Sequence, residues 1–283
     1  MNYQQHNMMH LDPDQFEEAL KTCAAEPIHL LGEIQPQGVL LVLSPDSSHT
    51  LLQVSENFSS FFEGTRHAEP GSPLADILDE KAVQQIVTLI ETARLKQTAQ
   101  GLISVTHEQL SEELLAHVYE TDGQFVLEME RNEGTCNEHN LAALFLKMEL
   151  NMLDREYRGE SVIHFDQLAR LIKNLTGYDS VMVYRFDQDW NGEVIAQSRE
   201  EKAPSYLGLH FPASDIPPQA RLLYTRNLIR IVADIDAVPV AVIPTLNPVT
   251  QRVLDMTCSS IRSLSQVHIE YLRNIGARAS MCI

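Results

Sequence analysis

The most restrictive feature of this chain is the order of strand and helix patterns between residues 38 and 130. Residues 38–43 form an apolar run, and residues 50–54 follow it after a Pro-Asp-Ser-Ser turn, so the two segments predict a hairpin. Helical patterns then occur at residues 56–62, 74–78 and 81–96, and strand patterns at residues 102–106, 114–119 and 125–130. Two strands, several helices and three strands predict a small α+β domain with one antiparallel sheet.

A second set of patterns begins after a polar linker at residues 131–140. A long amphipathic helix is predicted at residues 141–157, and another at 164–176, where Gly177 stands at the position of a helix cap. Asn191-Gly192 is a turn signal between two apolar strands, which predicts a second hairpin. The final residues read as the start of a strand with no turn after it, so we expect the natural protein to continue past Ile283.

Composition excludes several classes of function. The chain has 39 acidic residues against 21 Lys and Arg, and its formal net charge of −18 argues against nucleic acid or anionic membrane as a partner. No apolar run reaches the roughly 20 residues of a membrane span, and the polar N-terminus lacks the apolar core of a signal peptide. Four scattered cysteines without a CxxC pair argue against a metal site or a disulfide framework, so we expect a cytoplasmic protein.

Four sequence strings are more specific than these general patterns. Residues 212–217 read Pro-Ala-Ser-Asp-Ile-Pro, residues 247–250 read Asn-Pro-Val-Thr, and residues 261–268 read Ile-Arg-Ser-Leu-Ser-Gln-Val-His. Near the start, Cys23 precedes a Glu-Pro-Ile-His string at residues 26–29. In this order, from about residue 20 to the end, the strings resemble the photosensory module of bacteriophytochromes, a family of red and far-red light receptors.

The resemblance implies a fold and a domain arrangement. An N-terminal extension at residues 1–22 would precede a PAS domain at 23–135 and a GAF domain at 136–283, each an α+β domain with a central antiparallel sheet flanked by helices. In the family the N-terminal segment threads through a lasso of the GAF domain and forms a figure-of-eight knot. Ile34 would then lie in the loop formed by residues 235–261. Leu31 and Gln37 depart from the family pattern within this threaded segment.

The resemblance also implies a cofactor. Bacteriophytochromes hold biliverdin, a linear tetrapyrrole, through a thioether from a cysteine ahead of the PAS domain, which is Cys23 here. The thiolate is the reactive form of such a cysteine. Plant and cyanobacterial relatives instead attach the pigment immediately before the helix histidine, where this chain has Val267. Cys258 is the other candidate in the second half, although it is out of register with that position.

Further contacts to the pigment follow from the same resemblance. Arg230 and Arg262 match the arginines that bind its two propionates, since carboxylates in an apolar pocket need cationic partners. Ser265 would join them, and His268, which titrates near neutral pH, would lie near the pyrrole nitrogens. The remaining predicted contacts are the backbone of Asp215 with Ile216 and Pro217, the aromatic surroundings of ring D (Tyr184, Phe211, Tyr224 and Tyr271), and Ser280.

Light would isomerise the methine bridge next to ring D and signal to a PHY domain and an output domain in the full-length protein, and a homodimer is expected. No catalytic constellation is present, so any kinase or cyclase activity would belong to the output domain. Two other functions stay open. One is an engineered near-infrared fluorescent protein of the same family, although Asp215, which designers commonly replace, is intact. The other is a GAF domain that senses a small effector such as a cyclic nucleotide without a pigment.

Overall fold

The structure, a computed structural model, describes residues 25–64, 66–107, 110–132, 165–227 and 229–283. The chain divides into two compact units. The first combines Met1–Asn132 with Pro218–Ile283, and the second is Glu133–Pro217. The first unit therefore joins the predicted PAS region to the last quarter of the chain.

A seven-stranded antiparallel sheet is the centre of the first unit. Its strands are β1 (Glu33–Ile34), β2 (Gly38–Leu43), β3 (Leu51–Ser55), β4 (Thr98–His107), β5 (Leu110–Thr121), β6 (Gln124–Arg131) and β11 (Val240–Ile243). They are arranged in the order β1-β11-β3-β2-β6-β5-β4. The predicted order of two strands, helices and three strands is thus confirmed, and β11 adds a strand from the distant half of the chain.

The apolar run of β2 is explained by cores on both faces of the sheet. Val39, Leu41 and Leu43 belong to one buried cluster, whereas Leu40 and Val42 belong to a second cluster on the opposite face. Because successive side chains of a strand point to opposite faces, a strand covered on both sides is apolar throughout. The first cluster is covered by helices α1 (Phe58–Phe61), α2 (Leu74–Ile77) and α3 (Glu80–Lys96).

Identifiable residues begin and end helix α3. The carboxylate of Asp79 accepts a hydrogen bond from the Ala82 amide at 3.1 Å, which caps the first turn. Ala82, Ile86, Ile90 and Ala93 are buried at helical spacing and face the sheet. Gln97 follows with a φ of 72°, and this left-handed residue ends the helix.

The segment before β2 is held on two sides by the last third of the chain. Ile34 pairs with Val240 of β11 and also forms a bridge with Arg262. The Gln35 amide donates to the Ile261 carbonyl at 2.7 Å, and the buried Gln35 side chain donates to the Ile231 carbonyl at 2.9 Å. These contacts place Ile34 among residues of the expected lasso, and they are consistent with the predicted threading.

A buried cluster of amides ties the same lasso to the sheet. Asn247, which is 2% exposed, donates to the side-chain oxygens of Gln53 at 2.9 Å and Gln124 at 2.7 Å. Its own side-chain oxygen accepts the amides of Val249 and Thr250 at 2.9 and 3.2 Å. Every polar group that Asn247 buries therefore has a partner, as a buried amide requires.

The remaining part of the first unit is a smaller core around two helices. Helix α5 (Pro218–Arg226) leads to β10 (Arg230–Val232), and helix α6 (Gln266–Asn274) leads to β12 (Ser280–Cys282), which pairs antiparallel with β10. The buried apolar side chains of this core are Val232, Ile235, Leu264, Ile269 and Leu272.

The second unit contains helix α4 (Phe165–Thr176) and a three-stranded sheet of β7 (Ser180–Phe186), β8 (Gly192–Arg199) and β9 (His210–Phe211). The predicted Asn-Gly hairpin is confirmed as the β7–β8 pair. Its turn is closed by the Asp187 carboxylate, which accepts the amides of Asp189 at 2.9 Å and Asn191 at 2.8 Å. A 3-10 turn at Ala213–Asp215 follows β9.

The predicted helix at 141–157 lies outside the described residues, as does the N-terminal extension. No described helix combines the length and the apolar character needed to cross a bilayer. Helix α6 begins at Gln266, because the Ser265 hydroxyl caps its first turn.

Candidate functional site

A cavity of about 500 Å³, including its part open to solvent, lies within the first unit. Helices α5 and α6, strand β10 and the loop before α6 supply the walls, and residues of the N-terminal segment complete them. The lining includes Ile28, Leu31, Tyr224, Asn227, Arg230, Thr257, Arg262, Ser263, Ser265 and His268.

Arg230, the first residue of β10, is one of two cations in this cavity. Its Nη2 donates to the backbone carbonyls of Arg262 at 3.0 Å and Ser263 at 3.1 Å. Its Nη1 is buried and has no hydrogen-bond partner among the described residues. Burial lowers the pKa of Arg230, because removal from water disfavours the charged form.

Arg262 is the second cation, and it is 5% exposed. Its Nη1 donates to the Ile28 carbonyl, whereas its buried Nε has no partner in the described part of the chain. Burial, with a further contribution from the charge of Arg230, lowers the pKa of Arg262 to about 9. Among the described residues, neither arginine has a carboxylate within ion-pair distance, so both guanidinium groups retain unused donors in the cavity.

The first turn of α6 brings a serine and a histidine to the same cavity. The Ser265 hydroxyl accepts the His268 amide at 3.4 Å and so caps the helix. His268 lies in the first turn of α6, on the cavity wall. Burial, followed by the charges of Arg230 and Arg262, lowers the pKa of His268 to about 4, which keeps its imidazole neutral at physiological pH.

Of three other predicted residues in the first unit, one lines the cavity and two do not. Tyr224 lines the cavity, and burial raises the pKa of its hydroxyl, which accepts a hydrogen bond from the Cys282 thiol at 3.9 Å. Tyr271 lies on α6 but is 42% exposed and does not line the cavity. Ser280 is half-buried in β12, where it pairs with Val232, and it does not line the cavity either.

The other five predicted residues belong to the second unit. The rings of Tyr184 and Phe211 lie 6.0 Å apart, centroid to centroid, in an aromatic cluster that also contains Phe186. Asp215 ends the 3-10 turn, and burial raises the pKa of its carboxyl. The Asn191 side chain accepts the Ala213 amide at 3.2 Å and so fixes the start of this turn. Ile216 and Pro217 follow it and are half-buried.

Several residues that line the cavity were not among the predicted contacts. Ile28 and Leu31 line it, although the sequence assigned them only to the N-terminal attachment and threaded segments. Ser263 also lines it, and its buried hydroxyl has no hydrogen-bond partner among the described residues. Its place next to Arg262 was the available signal. Glu128 also escaped notice, although an acidic residue between Leu127 and Met129 in a core strand is a visible anomaly.

The geometry defines the class of ligand that the cavity can hold. Two buried guanidinium groups with unused N–H donors have a high cost unless an anion accepts from them. A planar carboxylate matches the donor fork of arginine. The residues present therefore fit a largely apolar ligand with carboxylate groups. Cys23 lies outside the described residues, and within the described part of the chain no cluster of His, Cys, Asp and Glu could hold a metal ion.

Comparison with known proteins identifies the family of this chain. A PAS fold family model matches residues 23–132. Cyanobacterial phytochrome B of Nostoc sp. is 37% identical over 272 residues, which cover 95% of this chain and 35% of that protein. The bacteriophytochrome of Pseudomonas aeruginosa is 36% identical over 264 residues, with 93% of this chain and 35% of that protein covered. The chain thus spans about a third of the length of these curated relatives.

The chain covers a larger share of the matching solved structures than of these curated relatives. The chromophore-binding domain of a Stigmatella aurantiaca bacteriophytochrome variant matches with a TM-score of 0.77 and 34% identity, over 92% of this chain and 84% of that one. The chromophore-binding domain of a bacteriophytochrome from R. palustris matches with a TM-score of 0.76 and 29% identity, over 92% and 83% of the two chains. This chain therefore belongs to the phytochrome family and corresponds to the chromophore-binding region of its bacterial members.

Proposed function

We propose that this chain is the light-sensing module of a bacteriophytochrome and that it binds biliverdin. The observation that supports this most directly is the pair of buried arginines, Arg230 and Arg262. Both line one cavity, each keeps an N–H donor without a partner among the described residues, and no described carboxylate pairs with either. A bilin has two propionates and a large apolar body, which match this combination of charge and shape. When bound, biliverdin would supply absorption of red and far-red light and isomerisation at its ring D methine bridge.

The residues of the first unit would bind and orient the pigment. Arg230 and Arg262 would each donate to a propionate, and Ser265 would add a hydroxyl donor at the first turn of α6. His268, neutral between the two arginines, would accept or donate a hydrogen bond near the pyrrole nitrogens. Tyr224 would pack against ring D, together with Tyr271, and Ser280 would contact the same end of the pigment.

The second unit would contribute through residues that the family resemblance assigns. Tyr184 and Phe211 would surround ring D, and their existing contact supports the idea of a formed aromatic cluster. The backbone carbonyl of Asp215 would accept from the pyrrole N–H groups, with Ile216 and Pro217 against the ring plane. Asn191 would keep this turn in place through the Ala213 amide.

Cys23 would form the thioether to the pigment, and absorption spectra before and after denaturation test this. Purified protein is mixed with biliverdin in the dark, and its absorption is recorded before and after red light. A sharp far-red band that survives acid-urea denaturation is expected for the wild type. Cys23→Ser should lose the denaturation-resistant band, whereas the control Cys258→Ser should keep it. A broad band like that of free pigment in the wild type would refute pigment binding, and a resistant band in Cys23→Ser would refute the attachment site.

The larger protein is also part of the proposal. Because the chain spans about a third of its curated relatives, we expect a PHY domain and an output domain to follow in the full-length protein. Any kinase or cyclase activity would belong to that output domain and not to this module. A homodimer is proposed on the family resemblance, and light scattering at two concentrations tests it, with a constant monomer mass as the contradicting result.

A further inference from the structure

Glu128 is a buried carboxylate that the proposed pigment contacts do not use. It lies on β6, is 1% exposed, and follows Leu127, which belongs to the helix-covered cluster. Since side chains alternate along a strand, Glu128 faces the opposite cluster, as Val126 does. A carboxylate at this depth is stable only when hydrogen bonds compensate the loss of water.

Those hydrogen bonds come from two parts of the chain. Ser260 donates its amide at 2.9 Å and its hydroxyl at 2.5 Å to the same oxygen of Glu128. His117, directly opposite on β5, has its Nδ1 at 3.3 Å from that oxygen. Burial opposes the charged form, but the hydrogen bonds from His117 and Ser260 hold the pKa of Glu128 below its ordinary value. Glu128 is therefore an anion that links the sheet to the loop before α6.

The Ser260 end of this link leads directly to the cavity. The next residue, Ile261, accepts the Gln35 amide at 2.7 Å, and the one after it is Arg262. Arg230 donates to the Arg262 carbonyl at 3.0 Å, so both cavity arginines depend on the backbone of this stretch. The charge of Glu128 also acts against the lowering of the pKa that burial causes in Arg230 and Arg262.

We propose that Glu128, held by His117, is a positioning residue that fixes residues 260–262 and so presents Arg262 to a carboxylate of the ligand. The inference rests on the proposed function, because the carboxylates in question are the propionates of biliverdin. Glu128 itself does not touch the pigment. Because Glu128 acts through Arg262, its effect on pigment assembly should depend on the charge of the propionates and not on the apolar body of the pigment.

The test compares Glu128→Gln, which keeps the size and removes the charge, with Glu130→Gln on the same strand and the same face. Glu130 has no hydrogen bond to Ser260. The rate constant of pigment assembly is measured for biliverdin and for biliverdin dimethyl ester, whose propionates are neutral. Glu128→Gln should slow assembly with biliverdin by about tenfold to a hundredfold, the usual range for a charged hydrogen bond, and with the ester by about threefold or less. Glu130→Gln should stay within about twofold for both pigments.

Each other result has a definite meaning. Unchanged assembly in Glu128→Gln, an equal loss with both pigments, or the same loss in Glu130→Gln would overturn the inference while the wild type still assembles. A wild type that assembles with neither pigment would refute the proposed function and the inference together. If circular dichroism shows that Glu128→Gln does not fold, Ser260→Ala replaces it, because that change removes only the hydroxyl donor. Slower assembly of Ser260→Ala with biliverdin but not with the ester would support the inference. Equal assembly rates with the two pigments would overturn the inference.

Discussion

Arg230 donates a hydrogen bond to the backbone carbonyl of Arg262 at 3.0 Å, so one buried guanidinium holds the backbone that carries the other. Two like charges so close together are costly, and the charge of Arg230 lowers the pKa of Arg262. An anion that accepts from both would remove this cost. The cavity therefore suits a ligand with carboxylates.

Removal of one cavity arginine should weaken pigment binding much more than removal of a surface arginine. Arg262→Ala deletes a charge-assisted donor, and we expect biliverdin affinity to fall by about tenfold to a hundredfold. Arg273→Ala is the matched control, since Arg273 also belongs to α6 but forms an exposed ion pair with Asp236 at 2.7 Å. It should stay within about twofold. Absorption titrations measure both, and equal losses would contradict the role of the cavity.

Acid should destabilise the apo protein partly through His268. Its pKa in the folded protein is about 4, below the ordinary value of 6.5, so between these pH values the unfolded chain binds the proton first. The free energy of unfolding should therefore fall as the pH decreases from 6.5 towards 4, and no loss from this group occurs above pH 6.5. Urea unfolding of His268→Gln should show a shallower decrease than the wild type. Parallel curves would mean that His268 is not held neutral.

Loss of the Asn247 side chain should destabilise the first unit. Asn247→Ala leaves the buried oxygens of Gln53 and Gln124 without donors, and we expect a decrease of about 2–4 kcal/mol in the free energy of unfolding. Val249→Ala is the control in the same turn, because Val249 is 66% exposed, and it should cost less than about 0.5 kcal/mol. Denaturant unfolding measures both variants, and equal midpoints would show that the amide cluster contributes little.

A methyl group at Gly192 should strain the aromatic cluster of the second unit. A Cβ there would lie 1.7 Å from the Tyr184 ring, so the ring or the hairpin must move. We expect Gly192→Ala to cost about 1–3 kcal/mol. Gly101→Ala is the comparison, since its nearest neighbour is the flexible Leu89 side chain at 3.1 Å, and it should change stability by less than about 1 kcal/mol. Thermal unfolding of both variants gives the answer, and similar losses would refute the steric argument.

The sequence predicted the local elements well where hydrophobic period and turn chemistry act over short distances. The hairpin at Asn191-Gly192 and helix α3, with its Asp79 cap, follow from residues within a few positions of each other. The family strings also led to the chain's phytochrome membership. Which of the predicted contact residues bind the pigment stays a prediction until the experiments above are done.

Long-range pairing was decided only by the tertiary structure. No local pattern indicates that Val240 pairs with Ile34 in the sheet of the first unit, or that Glu128 accepts from Ser260, because these partners are separated by more than a hundred residues. Propensity and periodicity describe one segment at a time, whereas the burial of Glu128 and the unused donors of Arg230 and Arg262 exist only once distant segments meet. The sequence by itself determined the elements and the family, and the packing of distant segments decided the charge and shape of the cavity.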